Sequence, residues 1–121
     1  MLEKRRFRRV RFTAPSDLIH NDISYRGQIE NISLNGALLS FSDGVIIPQD
    51  EKCALIVWPD EENPLLRMEV KVIYANFTMI GIKFVSMDEG THDRLYNLMA
   101  ELGGEPGKLT MERKILELEE E

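Results

Sequence analysis

Leu66-Arg67-Met68-Glu69-Val70-Lys71-Val72-Ile73-Tyr74 sets the fold class. Leu66, Met68, Val70, Val72 and Tyr74 alternate with Arg67, Glu69, Lys71 and Ile73. A period of two places one side of the chain on a core and the other in solvent, which is a strand covered on one face. Asn76 ends the run. Thr78, Ile80, Ile82 and Phe84 then alternate with Met79, Gly81, Lys83 and Val85, so the two runs read as a hairpin.

Upstream, Lys52 to Trp58 is an apolar strand stopped by Pro59, and Asp60-Glu61-Glu62-Asn63-Pro64 is an acidic loop leading into Leu66. Ala37-Leu38-Leu39-Ser40-Phe41 and Gln28 to Ile32 read as two further short strands, joined through Asn31-Ile32-Ser33-Leu34-Asn35-Gly36. Asn-Gly favours positive φ, so a tight turn is expected there. Ser42-Asp43-Gly44 and Ile47-Pro48-Gln49-Asp50 mark loops. Leu18, Ile19, Ile23 and Tyr25 suggest one short strand interrupted at Asn21-Asp22, with Ala14-Pro15-Ser16-Asp17 a break before it and Arg26-Gly27 a turn after it.

After Asp88 the period becomes helical, with Leu95, Leu98, Met99 and Leu102 on one stripe. Asp88 or Thr91 is the expected cap, and Gly103-Gly104 the stop. A short extra helical tail is expected from Thr110, where Met111, Ile115 and Leu118 share a side before an acidic end. About six short strands separated by turn signals, followed by one helix, describe a small antiparallel barrel or sandwich. Three segments follow: a basic arm over 1–12, a β-rich body with its helix over 13–104, and an acidic tail over 105–121. Pairing of two chains through 108–121 is one expectation for that tail.

Charge is unevenly distributed. The 121 residues hold 15 Lys+Arg against 21 Asp+Glu. Residues 1–11 contain six of the bases and one acid, which leaves nine bases against 20 acids and a formal charge of −11 on the remainder. A cationic arm on so acidic a body is suited to an anion. Arginine pairs bidentately with phosphate and with the guanine edge, so Arg5, Arg6 and Arg9 are the candidate anion ligands.

Other chemistries find little support. His20 and His92 have no neighbouring set at metal-ligand spacing, and no nucleophile with its base is recognisable, so neither a catalytic nor a metal site is assigned. No apolar run approaches a membrane span. No apolar stretch follows the basic arm as a signal peptide requires. The lone Cys53, in an apolar stretch, fits a small core residue in a reducing cytoplasmic setting. A nucleic-acid-binding barrel using the arm as clamp is one alternative. The acidic body opposes DNA everywhere except residues 4–11, so no DNA partner is expected. A ligand-independent protein-interaction module is another alternative.

Two stretches taken together resemble a known family. Arg5-Arg6-Phe7-Arg8-Arg9 is similar to the RxxxR motif of the PilZ domain, and Asn31-Ile32-Ser33-Leu34-Asn35-Gly36 to its [D/N]xSxxG motif. Glu3-Lys4, Val10, Ala37-Leu38-Leu39 and Gly81-Ile82-Lys83-Phe84-Val85 continue the likeness, which spans about residues 3–102. The resemblance implies a six-stranded antiparallel β-barrel with a C-terminal helix. It also implies a bacterial receptor for the second messenger cyclic di-GMP, with no other cofactor. Arg5, Arg6 and Arg9 would contact phosphates and guanines, Asn31 and Ser33 would hydrogen-bond guanine, and Gly36 would keep the loop tight. Arg8 stands where the family often has Pro. The expected mode of action is a switch in which ligand neutralises the arginines and folds the arm onto the Asn31–Gly36 turn. A downstream protein partner would then read the new surface.

Overall fold

The computed structural model describes residues 9–62 and 64–103. Within them the order is β1 (Val10–His20), β2 (Ile23–Ile32), β3 (Gly36–Ser40), β4 (Lys52–Val57), β5 (Leu66–Asn76), β6 (Met79–Ser86) and α1 (Glu89–Glu101). The six strands close into an antiparallel barrel in the order β1-β2-β3-β6-β5-β4. Closure pairs every strand on both sides and leaves no open edge. The expected barrel and its helix are both present; Arg5, Arg6 and the 105–121 tail lie outside the described residues.

The opening run behaves as its alternation requires. Leu66, Met68, Val70 and Val72 are buried, and Arg67 and Glu69 face out. Tyr74 departs from the pattern. A register shift between Val72 and Tyr74 turns the strand, and Tyr74 is 50% exposed. From β6, Ile80, Ile82 and Phe84 enter the same core, joined by Leu18, Ile29, Ile32, Leu39 and Leu55. Cys53 is buried among them, and burial pushes its thiol pKa up.

The N-terminal third is more regular than its sequence suggests. Ala14-Pro15-Ser16-Asp17 is not a break but the middle of β1. Pro15 sits one residue before β1 begins to pair with β4 at Ser16 and Val57, and its carbonyl accepts from the Trp58 N–H at 3.0 Å. On that flank its missing N–H interrupts no ladder. The Asn21-Asp22 interruption is the turn that separates two long strands. Both residues lie at positive φ, 50° and 66°, as a two-residue hairpin demands. Arg26-Gly27 is not a turn either. It lies inside β2, where a Cβ on Gly27 would come within 2.5 Å of the Ser40 carbonyl oxygen.

Asp88 caps α1, accepting from the Thr91 N–H at 2.7 Å, and Gly103 leaves the helix at φ 91°. Thr91, Leu95 and Met99 form the helix's buried stripe, with Leu98 and Leu102 partly buried against the core. No helix among the described residues is long and apolar enough to cross a membrane.

Candidate functional site

The stretch from Asn31 to Gly36 ends β2, turns, and opens β3. Its centre is Ser33, which is 3% exposed. The Ser33 Oγ accepts from the Asn35 N–H and the Gly36 N–H, both at 3.1 Å, and donates to the Gly36 carbonyl at 3.3 Å. The Ser33 N–H also donates to that carbonyl, at 2.9 Å. One small hydroxyl thus closes the turn from inside. The turn is then fixed to the neighbouring strand, because the Phe84 N–H donates to the Asn35 carbonyl at 2.8 Å.

Gly36 is required for contact rather than for backbone twist. Among the described residues positive φ occurs at Asn21, Asp22, Asp50 and Gly103, so the Asn35-Gly36 pair does not adopt the conformation its sequence favours. A Cβ on Gly36 would lie 2.3 Å from the Ile82 carbonyl oxygen, so only glycine lets β3 start this close to β6.

Two bulges bracket Asn31. In the β1–β2 ladder the register shifts between Arg11 and Ala14, and in the β2–β3 ladder between Ile29 and Asn31. The extra residue in β2 is Glu30. It breaks the strict alternation, so Glu30 and Asn31 are both partly exposed between the buried Ile29 and Ile32. Bulges re-aim side chains in this way beside functional sites. The Asn31 Oδ1 atom is buried and has no hydrogen-bond partner among the described residues. A buried amide oxygen left unpaired costs free energy, and its natural complement is a donor brought by a ligand.

The surroundings are polar. Arg11 stands opposite Asn31 in the β1–β2 register and is exposed. Arg9, also exposed, lies one residue before β1. Glu30 accepts at Oε2 from Gln28 Nε2 and Ser40 Oγ, each at 2.6 Å. The hydrogen bonds from Ser40 and then Gln28 hold the Glu30 carboxyl below its ordinary pKa of 4.5, and Arg11 adds a smaller pull.

Of the residues singled out by sequence, the structure places Asn31, Ser33 and Gly36 in one turn, with Arg9 at the start of the strand whose Arg11 faces Asn31. Glu30 and Arg11 were not singled out. Their only signal was position, one beside each motif. His20 is mostly covered, with its Nε2 3.1 Å from Glu51 Oε1, and His92 is half-buried. No cluster of three potential metal ligands occurs among the described residues.

The PilZ domain family model matches residues 3–101. Among solved structures, the chain is similar to the PilZ domain of YcgR from Escherichia coli with c-di-GMP, at a TM-score of 0.72 and 12% identity over 83% of this chain and 92% of that one. It is also similar to the inhibitor of motility MotI/DgrA from Bacillus subtilis, at a TM-score of 0.67 and 17% identity. The MrkH–c-di-GMP complex of K. pneumonia gives a TM-score of 0.67 and 16% identity. Each of the last two matches covers 84% of this chain and 53% of the other, so the likeness concerns about half of those proteins. No curated protein sequence matches. At these identities the structural likeness speaks for the fold.

Proposed function

The chain belongs to the PilZ domain family, and from that premise we propose that it is a receptor for cyclic di-GMP, with a site split between arginines and turn. The observation that carries the reading is the Asn31 Oδ1 atom beside the Ser33-braced turn, buried and without a hydrogen-bond partner among the described residues. Guanine presents two adjacent donors, N1–H and the N2 amino group. An amide oxygen that has already lost its water gains most from such a donor, because its desolvation is complete before the ligand arrives. Arg5, Arg6 and Arg9 supply the cationic half, pairing with the phosphodiesters and the guanine O6/N7 edge. Ser33 acts by positioning, since its hydroxyl holds the turn that presents Asn31, and Gly36 lets that turn sit against β6.

Binding neutralises the arginines and brings the arm onto the turn. The surface so formed is what a downstream protein reads, so the chain works as a binding switch in the cytoplasm rather than as an enzyme. PilZ-domain structures with c-di-GMP among its structural neighbours support this reading. Isothermal titration with cyclic di-GMP tests it. A saturable heat is expected at micromolar protein, and Arg9→Ala should weaken it. No heat with ligand in the tens of micromolar would overturn the proposal.

A further inference from the structure

Three lysines stand side by side across the barrel wall. Lys52 of β4 is opposite Lys71 of β5, Lys71 is opposite Lys83 of β6, and Lys83 is opposite Gly36 of β3. These four strands are consecutive in the barrel, so the lysines occupy one continuous rung that ends on the glycine of the Asn31–Gly36 turn. Each is flanked along its strand by a buried residue (Cys53, Val70 and Val72, Ile82 and Phe84), and all three therefore face outward. Neighbouring strands lie about 4.8 Å apart, so the rung covers about 15 Å from Lys52 to Gly36.

Stability does not account for this arrangement. Like charges directly opposite each other across a ladder are destabilising. Beyond residue 11 the chain has nine bases and 20 acids, and three of those nine bases are adjacent on one rung. Acids near them are mostly engaged elsewhere. Glu51 pairs with His20, and Glu69 accepts from Ser86 Oγ at 3.0 Å. Among the described residues only Lys71 has an ion-pair partner, Asp50 at 3.8 Å, and both side chains are largely exposed. Among the described residues Lys52 and Lys83 make no ion pair.

We propose that this rung is a phosphate subsite. Lys83, backed by Lys71, takes the phosphodiester of the bound dinucleotide that faces away from the arginine arm, and Lys52 adds only longer-range attraction. The inference rests on the reading of Asn31–Gly36 as the dinucleotide seat. A cyclic dinucleotide carries its two phosphates on opposite sides of one ring. With a guanine at Asn31 and one phosphate held by the arginines, the other falls toward the Gly36 side of the turn, where Lys83 is the base opposite Gly36 in the β3–β6 register.

The test is titration of the full chain with cyclic di-GMP, comparing wild type with Lys83→Gln, Lys71→Gln, Lys52→Gln and Arg67→Gln. Arg67 is an exposed base on the outer face of β5 but opposite Ile56, off the rung, and controls for net charge. Surface charge contacts of this kind predict about fivefold weaker binding for Lys83→Gln, a smaller loss for Lys71→Gln, and little change for Lys52→Gln or Arg67→Gln. Unfolding temperatures of the lysine variants should match or exceed wild type, because a like-charge contact is relieved. Equal losses in all four variants would reduce the effect to net charge and overturn the subsite. So would wild-type binding with Lys83→Gln and Lys71→Gln both within about twofold of it. Absence of binding by wild type would instead overturn the proposed function.

Discussion

Asn31→Ala separates a binding role from a structural one, because the two predict opposite signs in the free protein. The Asn31 Oδ1 atom is buried without a partner among the described residues, so the ligand-free chain already carries its desolvation, roughly 1–3 kcal/mol. Truncation to Ala removes that cost along with the amide. The free protein should therefore keep its stability or gain up to about 1 kcal/mol, which for a domain of this size is a rise of about 4–8 °C in unfolding temperature. Binding should move the other way. The bound state loses the proposed hydrogen bond to guanine, and affinity for cyclic di-GMP should fall by about 1–3 kcal/mol, on the order of tenfold to a hundredfold. Asn31→Asp gives a second arm. Its carboxylate keeps the acceptor but is costlier to leave unpaired, so the free protein should lose stability while binding is retained. Differential scanning fluorimetry and isothermal titration read the two quantities on the same samples. If Asn31→Ala lowers the unfolding temperature and leaves affinity unchanged, the residue is structural and the reasoning fails.

Ser33→Ala should show the converse pattern. It deletes all three side-chain hydrogen bonds of the turn, so stability in urea should drop by about 1–3 kcal/mol, with affinity falling as a consequence. Gly36→Ala forces a Cβ against the Ile82 carbonyl oxygen, and about 1–3 kcal/mol of destabilisation is expected by the same measurement. Arg9→Ala should weaken cyclic di-GMP at least about tenfold while lowering the unfolding temperature far less than Ser33→Ala does, since Arg9 is exposed and precedes β1. Acid should destabilise the fold through Glu30 and Asp88. Both carboxyls are held below their ordinary values of 4.5 and 3.8, so their contribution is complete above those values and lost as pH falls through the lower folded ones. Stability measured from pH 6 downward should thus decline mainly below about pH 4, and Glu30→Gln should make that decline shallower.

Sequence alone reached the β-hairpin of β5 and β6 and the helix, because alternation and helical spacing are written in residue type, and it narrowed the cap to Asp88 or Thr91, of which Asp88 is the one used. The β1–β2 hairpin was legible only at its turn. Pro15 and Gly27 carry the composition of breakers, yet each is tolerated for a tertiary reason. Pro15 lies where the β4 ladder has not begun, and Gly27 lets the backbone approach Ser40 and Phe41. Neither reason exists until the barrel closes. The Asn31–Gly36 turn was located correctly, but by a propensity the chain does not use. Its backbone stays out of the left-handed region, and the Ser33 hydroxyl makes the turn instead. Bulges escape sequence reading altogether, because an extra residue such as Glu30 has no characteristic identity. The exposure of Asn31 and Tyr74 depends on them, so alternation alone misplaces both.

The two halves of the proposed site are built from opposite physical materials, and that division explains why a strongly acidic body carries them. The turn is neutral and over-determined, with Ser33 bonded three ways, the Asn35 carbonyl tied to β6 and Gly36 wedged against Ile82. Such a surface loses little entropy on binding and discriminates by where the buried Asn31 Oδ1 lies. Among the described residues, Arg9, Arg11 and the lysine rung are charged and mostly exposed. They supply attraction that is long-ranged, tolerant of geometry and screened by salt. Neither half suffices. A lone neutral turn has one hydrogen bond to offer, whereas a lone basic cluster would take any polyanion. The excess of acids over the remainder of the chain removes the second outcome, since a long nucleic acid that reached the arm would lie across a repelling wall. A ligand small enough to stay between the arm, the turn and Lys83 avoids that wall. On the proposed function, this charge distribution favours a compact dinucleotide over a polymer and leaves the choice of base to Asn31.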